Sequence, residues 1–278
     1  MKLYDILWRA RRKLLGNPRF ATNDVKIGRN VTFGMNVVFN SKRVRIGDGT
    51  IFQDNVRVDS TTFEIGDYGT IYRDSFFPGP GELRIGHNFW LGTQSILDCQ
   101  GGTKIGNNVG VGPQSQLWTH MKYGDVMYGC RFHTVKPLVI EDDVWIVGHC
   151  LVSPVHIGTR SMAMLGSLVT RDMLPDRTYA GSPATDVTEK VGKQIEVTSV
   201  EERIKYLEEK LTTFRGRHKL PNIDSFARVV TSAAVMGDIR DDITVFNVAD
   251  RTYRKTGTHL EYSLIRFLLP DAKFLPTF

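Results

Sequence analysis

The side chains best placed for chemistry gather at a break in an otherwise strict pattern. His120 closes the stretch "QSQLWTH", and the following "MKYGDVMYGCRFHTVKP" abandons the spacing that holds on either side of it. An imidazole, with an ordinary pKa of about 6.5, can take a proton from a hydroxyl at neutral pH, and a general base of this kind contributes on the order of 10²–10⁴-fold in rate. Such a base needs a partner that sets its tautomer. Asp98 and Gln94, one repeat earlier, are the candidates to orient the ring or to bind an acceptor hydroxyl, although Asp98 serves equally well as a corner residue. Trp118 stands beside the histidine as a second acceptor-side candidate with Gln94. A loop histidine without a task is the alternative. His87, His133, His149 and His156 raise the question of a metal, but their spacing does not copy a three-histidine zinc site, and no metal is expected. Cys99, Cys130 and Cys150 are odd in number and lack CxxC spacing, which fits neither a disulfide framework nor a cysteine zinc site.

The element that must position these residues is a repeat. Ile27-Gly28, Ile46-Gly47, Ile65-Gly66, Ile85-Gly86 and Ile105-Gly106 recur about every 19 to 20 residues, and Ile140 and Ile157-Gly158 extend the series past the break. A finer beat of about six residues runs inside each unit, as in Ile85, Leu91 and Leu97, or Ile140, Ile146 and Val152. An aliphatic residue at every sixth position points inward and stacks on its counterparts, while Gly, Asn and Asp take corners with unusual backbone angles. Three short strands then make one triangular turn of a parallel β-helix, in which each coil bonds only to its neighbours. Insertions are tolerated at corners, and residues 119–136 have the character of one.

These units, together with "PLVIEDDVWIVGHCLVSPVHIGTRSMAMLGSLVTRDMLPDRTYAGSPATDV", resemble the hexapeptide-repeat acyltransferases across roughly residues 24–188, in particular the sugar and galactoside O-acetyltransferases. The resemblance implies a left-handed coil, which the period itself does not encode. It also implies a homotrimer, acetyl-CoA as acyl donor lying between adjacent subunits, and a catalytic histidine at the start of a loop, the position that His120 occupies. On this reading the loop forms one wall of the active site in a neighbouring subunit, and His120 deprotonates a hydroxyl as it attacks the thioester directly. Trp145 matches the family's tryptophan position. Gly148, Leu165, Gly166 and Ser167 match positions whose backbone meets pantetheine, and Thr170 and Arg171 match a Thr-Lys pair near the nucleotide. Phosphates need cations, which Arg171, Arg177 and Arg160 offer, though a solvated face explains each arginine equally well. Trp145 is likewise open to a packing role. Three departures from the pattern stand out: Glu141 follows Ile140 where a Gly is usual, Val147 replaces a Gly, and "GTRSMAMLGS" is bulkier than the usual version.

The expectation is an acetyl-CoA-dependent O-acetyltransferase acting on a sugar or glycan, with a place in polysaccharide biosynthesis. N-acetylation of a nucleotide-linked amino sugar, or a scaffold with a blocked groove, are the alternatives. The formal charge of +6 implies attraction to anions, but there is no nucleic-acid-binding motif to go with it. A cytoplasmic location is expected, with no membrane span and no secretory signal. Residues 1–23 read as an amphipathic helix or cap, basic at Arg9, Arg11, Arg12 and Lys13, and suited to packing on protein or to peripheral contact with the inner face of a membrane. Residues 189–221 read as a linker and helix with a capping box at Ser199 and Glu202. Residues 222–278 follow no hexapeptide rule and read as a small α+β extension whose role the sequence leaves open. The whole is mainly β.

Overall fold

The computed structural model describes residues 17–232 and 239–277. They fall into two compact units that divide between Ile195 and Glu196.

The first unit is a three-faced parallel β-helix. One face stacks eight strands from Arg19–Phe20 to Leu168–Val169. A second stacks seven from Val25–Ile27 to His156–Ile157, and a third runs from Thr32–Phe33 to Thr178–Gly181, where Ala184–Asp186 closes it as an antiparallel partner. The register follows the repeat: Ile85 pairs with Ile65 and Ile105, and Ile105 pairs with Ile140 across the insertion. The six-residue beat therefore appears as columns of buried side chains.

Those columns change character along the rod. Toward the N-terminal end Phe39, Phe52, Phe63 and Phe77 are fully buried, and Phe39 meets Phe20 and Phe52 with ring centroids 5.0 and 5.3 Å apart. Farther along the first face, the column of Phe39 and Phe77 continues as Leu97, Leu117, Val152 and Val169. Each fully buried side chain of this size stabilises the fold by about 1.5–3 kcal/mol relative to its exposed state.

Corners are made where the sequence supplies residues that accept left-handed backbone, among them Asn36, Asn55 and Asn108. Stacked side chains seal them. Asn36 donates to Asn55 and Asn55 to Asp74, at 3.1 and 2.9 Å.

The expected N-terminal helix lies on residues 1–16, outside the described residues, for the greater part of its length. Within 17–23 the chain already forms the strand Arg19–Phe20, paired with Val38–Phe39, so the coil begins ahead of residue 24. The expected helix after the rod spans Val200–His218 and carries the Ser199–Glu202 capping box. Its buried residues Leu207, Leu211 and Phe214 belong to the second compact unit, which sets the boundary earlier than residue 222. That unit contains a four-stranded mixed sheet in sequence order, Ala227–Val230, Thr244–Asn247, Thr252–Arg254 and Leu275–Thr277, and a helix His259–Leu268. Among the described residues no helix is long and apolar enough to cross a membrane.

Candidate active site

The interruption after His120 is a hairpin arm that leaves the coil at the corner between the first and second faces. His120–Met121 pairs antiparallel with Thr134–Val135, and the Lys136 N–H donates to the Thr119 carbonyl at 3.0 Å, closing the base of the arm. Gly101 lies beneath the returning chain, and a Cβ there would come within 2.3 Å of the Lys136 carbonyl oxygen, so the close approach itself requires glycine. At the tip the Asp125 carboxylate accepts from the Met127 and Tyr128 N–H groups at 2.8 and 3.3 Å. The arm turns apolar side chains outward, with Tyr123, Met127 and Tyr128 almost fully exposed.

At its root stands a histidine–carboxylate pair. His120 Nδ1 is 2.7 Å from Asp98 Oδ2, with Asp98 fully buried and the His120 side chain 27% exposed. The Thr119 N–H donates to the same oxygen at 2.7 Å, the Thr119 hydroxyl also donates to it, and Asp98 Oδ1 accepts from the Gln100 N–H at 3.2 Å. Burial pushes the Asp98 carboxyl upward, but the Thr119 hydroxyl, the His120 ring and the two backbone donors outweigh it and hold the group below its ordinary value. An ionised carboxylate can only accept, so His120 Nδ1 carries the hydrogen and Nε2 keeps its lone pair. That is the protonation pattern of a general base. Trp118 lies across the imidazole, with centroids 6.1 Å apart at 69°, and its Nε1–H donates to Gln116 at 3.2 Å.

Gln94 is elsewhere. It forms the corner between the third and first faces, in left-handed backbone, and its amide oxygen accepts from Gln114 at 3.1 Å. The structure does not bring it together with His120. The register shows why: Ile96 pairs with Gln116, so Asp98 falls in line with Trp118, whereas Gln94 falls in line with Gln114.

The residues matched to a cofactor groove separate into three places. Trp145 is 44% exposed on the third face. Gly148, Leu165, Gly166 and Ser167 form the corner between the third and first faces, with positive φ at both glycines and open space where a Cβ at Gly166 would point. Leu165 is exposed there, whereas the Ser167 hydroxyl and N–H both donate to the Met164 carbonyl, at 2.6 and 3.2 Å, and its own carbonyl accepts from the Leu151 N–H at 3.0 Å. Thr170 and Arg171 follow Leu168–Val169 at the other edge of the first face, both exposed. Arg177 lies 3.7 Å from Asp186, and Arg160 is bidentate with Asp176. Both are thus partly neutralised, while Arg171 has no ion-pair partner among the described residues.

The remaining histidines are dispersed. His87 Nδ1 accepts from the Asp67 N–H at 2.9 Å, His133 Nε2 lies 2.8 Å from the Gly124 carbonyl oxygen, and His149 makes a corner. His156 pairs with Glu141, which also takes the Thr159 N–H at 2.8 Å; this accounts for the glutamate in place of the usual glycine. Among the described residues no three metal-ligating side chains converge. Sequence reasoning gave Thr119 no role of its own, although its type beside His120 was the available signal.

No protein-family model and no curated protein sequence matches the chain. Among solved structures it is similar to the N-acyltransferase AntD from Bacillus cereus, in complex with dTDP-4-amino-4,6-dideoxyglucose and coenzyme A, at 15% identity over 75% of this chain and 97% of that one, with a TM-score of 0.39. It is also similar to a hexapeptide-repeat-containing acetyltransferase from Vibrio cholerae, at 23% identity over 70% and 84% of the two chains, TM-score 0.31. A third is the polysialic acid O-acetyltransferase OatWY, at 15% identity over 66% and 92%, TM-score 0.44. With TM-scores below 0.5 these likenesses carry no weight for the chemistry, which rests on the geometry above; all three are acyltransferases, and the Vibrio cholerae protein is a hexapeptide-repeat one.

Proposed function

We propose that the protein is an acetyl-CoA-dependent O-acetyltransferase acting on a sugar or glycan hydroxyl, with His120 as general base. The observation that carries this reading is the His120 pair: a buried, ionised Asp98 holds Nδ1–H, and Nε2 is left to accept the proton of an acceptor alcohol. Trp118 offers a flat apolar surface beside the imidazole, suited to the carbon face of a pyranose. Acetyl-CoA, when bound, supplies the thioester carbonyl that the hydroxyl attacks. On the protein side, the open space at Gly166 fits a pantetheine chain lying close to the coil, and Arg171, without an ion-pair partner among the described residues, fits a phosphate.

The dyad and the glycine corner occupy opposite edges of the first face, with Arg171 on the dyad's edge, so one chain does not unite the dyad with that corner. A homotrimer would. The first and third faces turn apolar side chains outward, including Phe76, Ile96, Leu151, Trp90 and Trp145, whereas the second carries charges such as Arg45, Glu64, Arg84 and Lys104. Packing the first face of one copy on the third face of the next closes a ring and brings one copy's dyad toward the next copy's glycine corner.

The test is calorimetric titration of acetyl-CoA into wild-type protein and His120→Ala, followed by thiol release with a panel of sugars, amino sugars and glycans. The reading expects both proteins to bind the donor and only the wild type to release thiol with a hydroxyl acceptor. Release confined to amino sugars would move the reading to N-acetylation, and absence of donor binding would overturn it.

A further inference from the structure

Thr119 has every polar group engaged, and its bonds converge on the dyad. It is fully buried. Its Oγ1 accepts the Gly101 N–H at 2.9 Å, which commits the hydroxyl hydrogen to Asp98 Oδ2. Its N–H donates to that same oxygen at 2.7 Å, and its carbonyl accepts the Lys136 N–H at 3.0 Å. One residue therefore ties the coil below, the carboxylate and the returning strand of the arm. Asp98 Oδ2 receives three donors, two of them from Thr119, while Oδ1 has a backbone N–H at 3.2 Å. A valine would fill the same volume but could neither donate to Asp98 nor accept from Gly101.

Building on the acyl-transfer reading, we propose that Thr119 is a positioning residue for His120: its hydroxyl fixes the plane of the Asp98 carboxylate, and the carboxylate in turn holds the imidazole in the Nδ1–H tautomer with Nε2 free. Titratable neighbours on the coils are Cys99, whose thiol is pushed up to about 12 by burial and stays neutral, and Asp59, whose charge acts on Cys99. On the arm they are Lys122, His133 and Lys136. None of these contributes a hydrogen bond to the carboxylate; without the hydroxyl, Oδ2 keeps the Thr119 N–H and the His120 ring and Oδ1 the Gln100 N–H, one donor fewer to fix its plane.

The test uses full-length Thr119→Val, with Thr119→Ala as a second variant lacking the hydroxyl in case the first does not fold, and Thr119→Ser to restore it. Ring ¹⁵N NMR of His120 reads the tautomer without any substrate, and steady-state kinetics read acyl transfer. Wild type and Thr119→Ser should show the Nδ1–H tautomer. Without the hydroxyl the ring should become a tautomer mixture, with kcat reduced about 10- to 100-fold and KM little changed. A folded Thr119→Val or Thr119→Ala with wild-type tautomer and kcat would overturn the proposal and leave Thr119 a purely structural residue. The tautomer readout is independent of activity, so a wild-type Nδ1–H ring in a protein that transfers no acyl group would count against the acyl-transfer reading and not against this one.

Discussion

Among the described residues, the two short histidine–carboxylate pairs are nearly equal in length and differ in almost everything else. His120 and Asp98 are 2.7 Å apart, His156 and Glu141 2.8 Å. Asp98 is fully buried at the root of the arm, whereas Glu141 and His156 are 40% and 53% exposed on the second face. Both carboxyls are held below their ordinary values. For Glu141 the Thr159 N–H is the main cause, with the His156 ring second; for Asp98 the donors must first overcome burial. Distance alone therefore does not mark a base. What distinguishes the first pair is a carboxylate that water cannot reach, donors that fix its plane, and a ring whose second nitrogen is left to face an acceptor. Water screens the second pair, which serves to join consecutive coils.

Mutations at the two pairs should separate these roles. His120→Ala should show the largest effect, a loss of acyl transfer on the order of 10²–10⁴-fold with donor binding retained, read by thiol release beside calorimetry. Asp98→Asn comes next. It should lower kcat about 10- to 100-fold and cost about 1–3 kcal/mol in denaturant unfolding, because an amide nitrogen cannot accept the donors now aimed at the carboxylate.

Acid titration is the third expectation. The folded carboxyl of Asp98 lies below its unfolded value, so its contribution is fully present above the ordinary carboxylate pKa of about 3.9 and is lost as the pH falls through the lower folded value. The stability gap between wild type and Asp98→Asn should accordingly be constant near neutrality and shrink below about pH 4. A gap that widened on acidification would contradict this. The smallest effect belongs to the exposed pair: His156→Ala should leave transfer unchanged and shift stability by under about 0.5 kcal/mol. Should His156→Ala abolish transfer instead, the base would have been assigned to the wrong pair.

Much of the rod was legible because a hexapeptide beat leaves an aliphatic residue at fixed intervals, and the register of Ile65, Ile85, Ile105 and Ile140 reproduces that count. The break at His120 was legible for the same reason, since only departure from a strict period can mark an insertion. Less legible was which side chains share an edge. Gln94 and Asp98 both lie about one repeat before His120, yet a four-residue offset carries them to opposite edges of one face, and only the pairing of Gln94 with Gln114 shows it. Thr119 was given no role because a small residue next to a histidine has no periodic signature; its importance lies in four hydrogen bonds, three to Asp98 and Gly101 of the coil and one to Lys136 of the returning arm, that only the fold reveals. The second unit had no repeat to read, and its sheet joins Thr252–Arg254 to Leu275–Thr277 across an intervening helix.

The arm springs from Thr119, with five first-face strands preceding Gln116–Leu117 and two following it. In a stack whose coils bond only to their neighbours, opening proceeds inward from the ends, so terminal coils fray first and interior ones last. The amides of Gln116, Trp118 and Thr119 should then exchange with deuterium more slowly than those of Arg19 or Thr32, so that local opening at either end of the rod leaves the dyad intact.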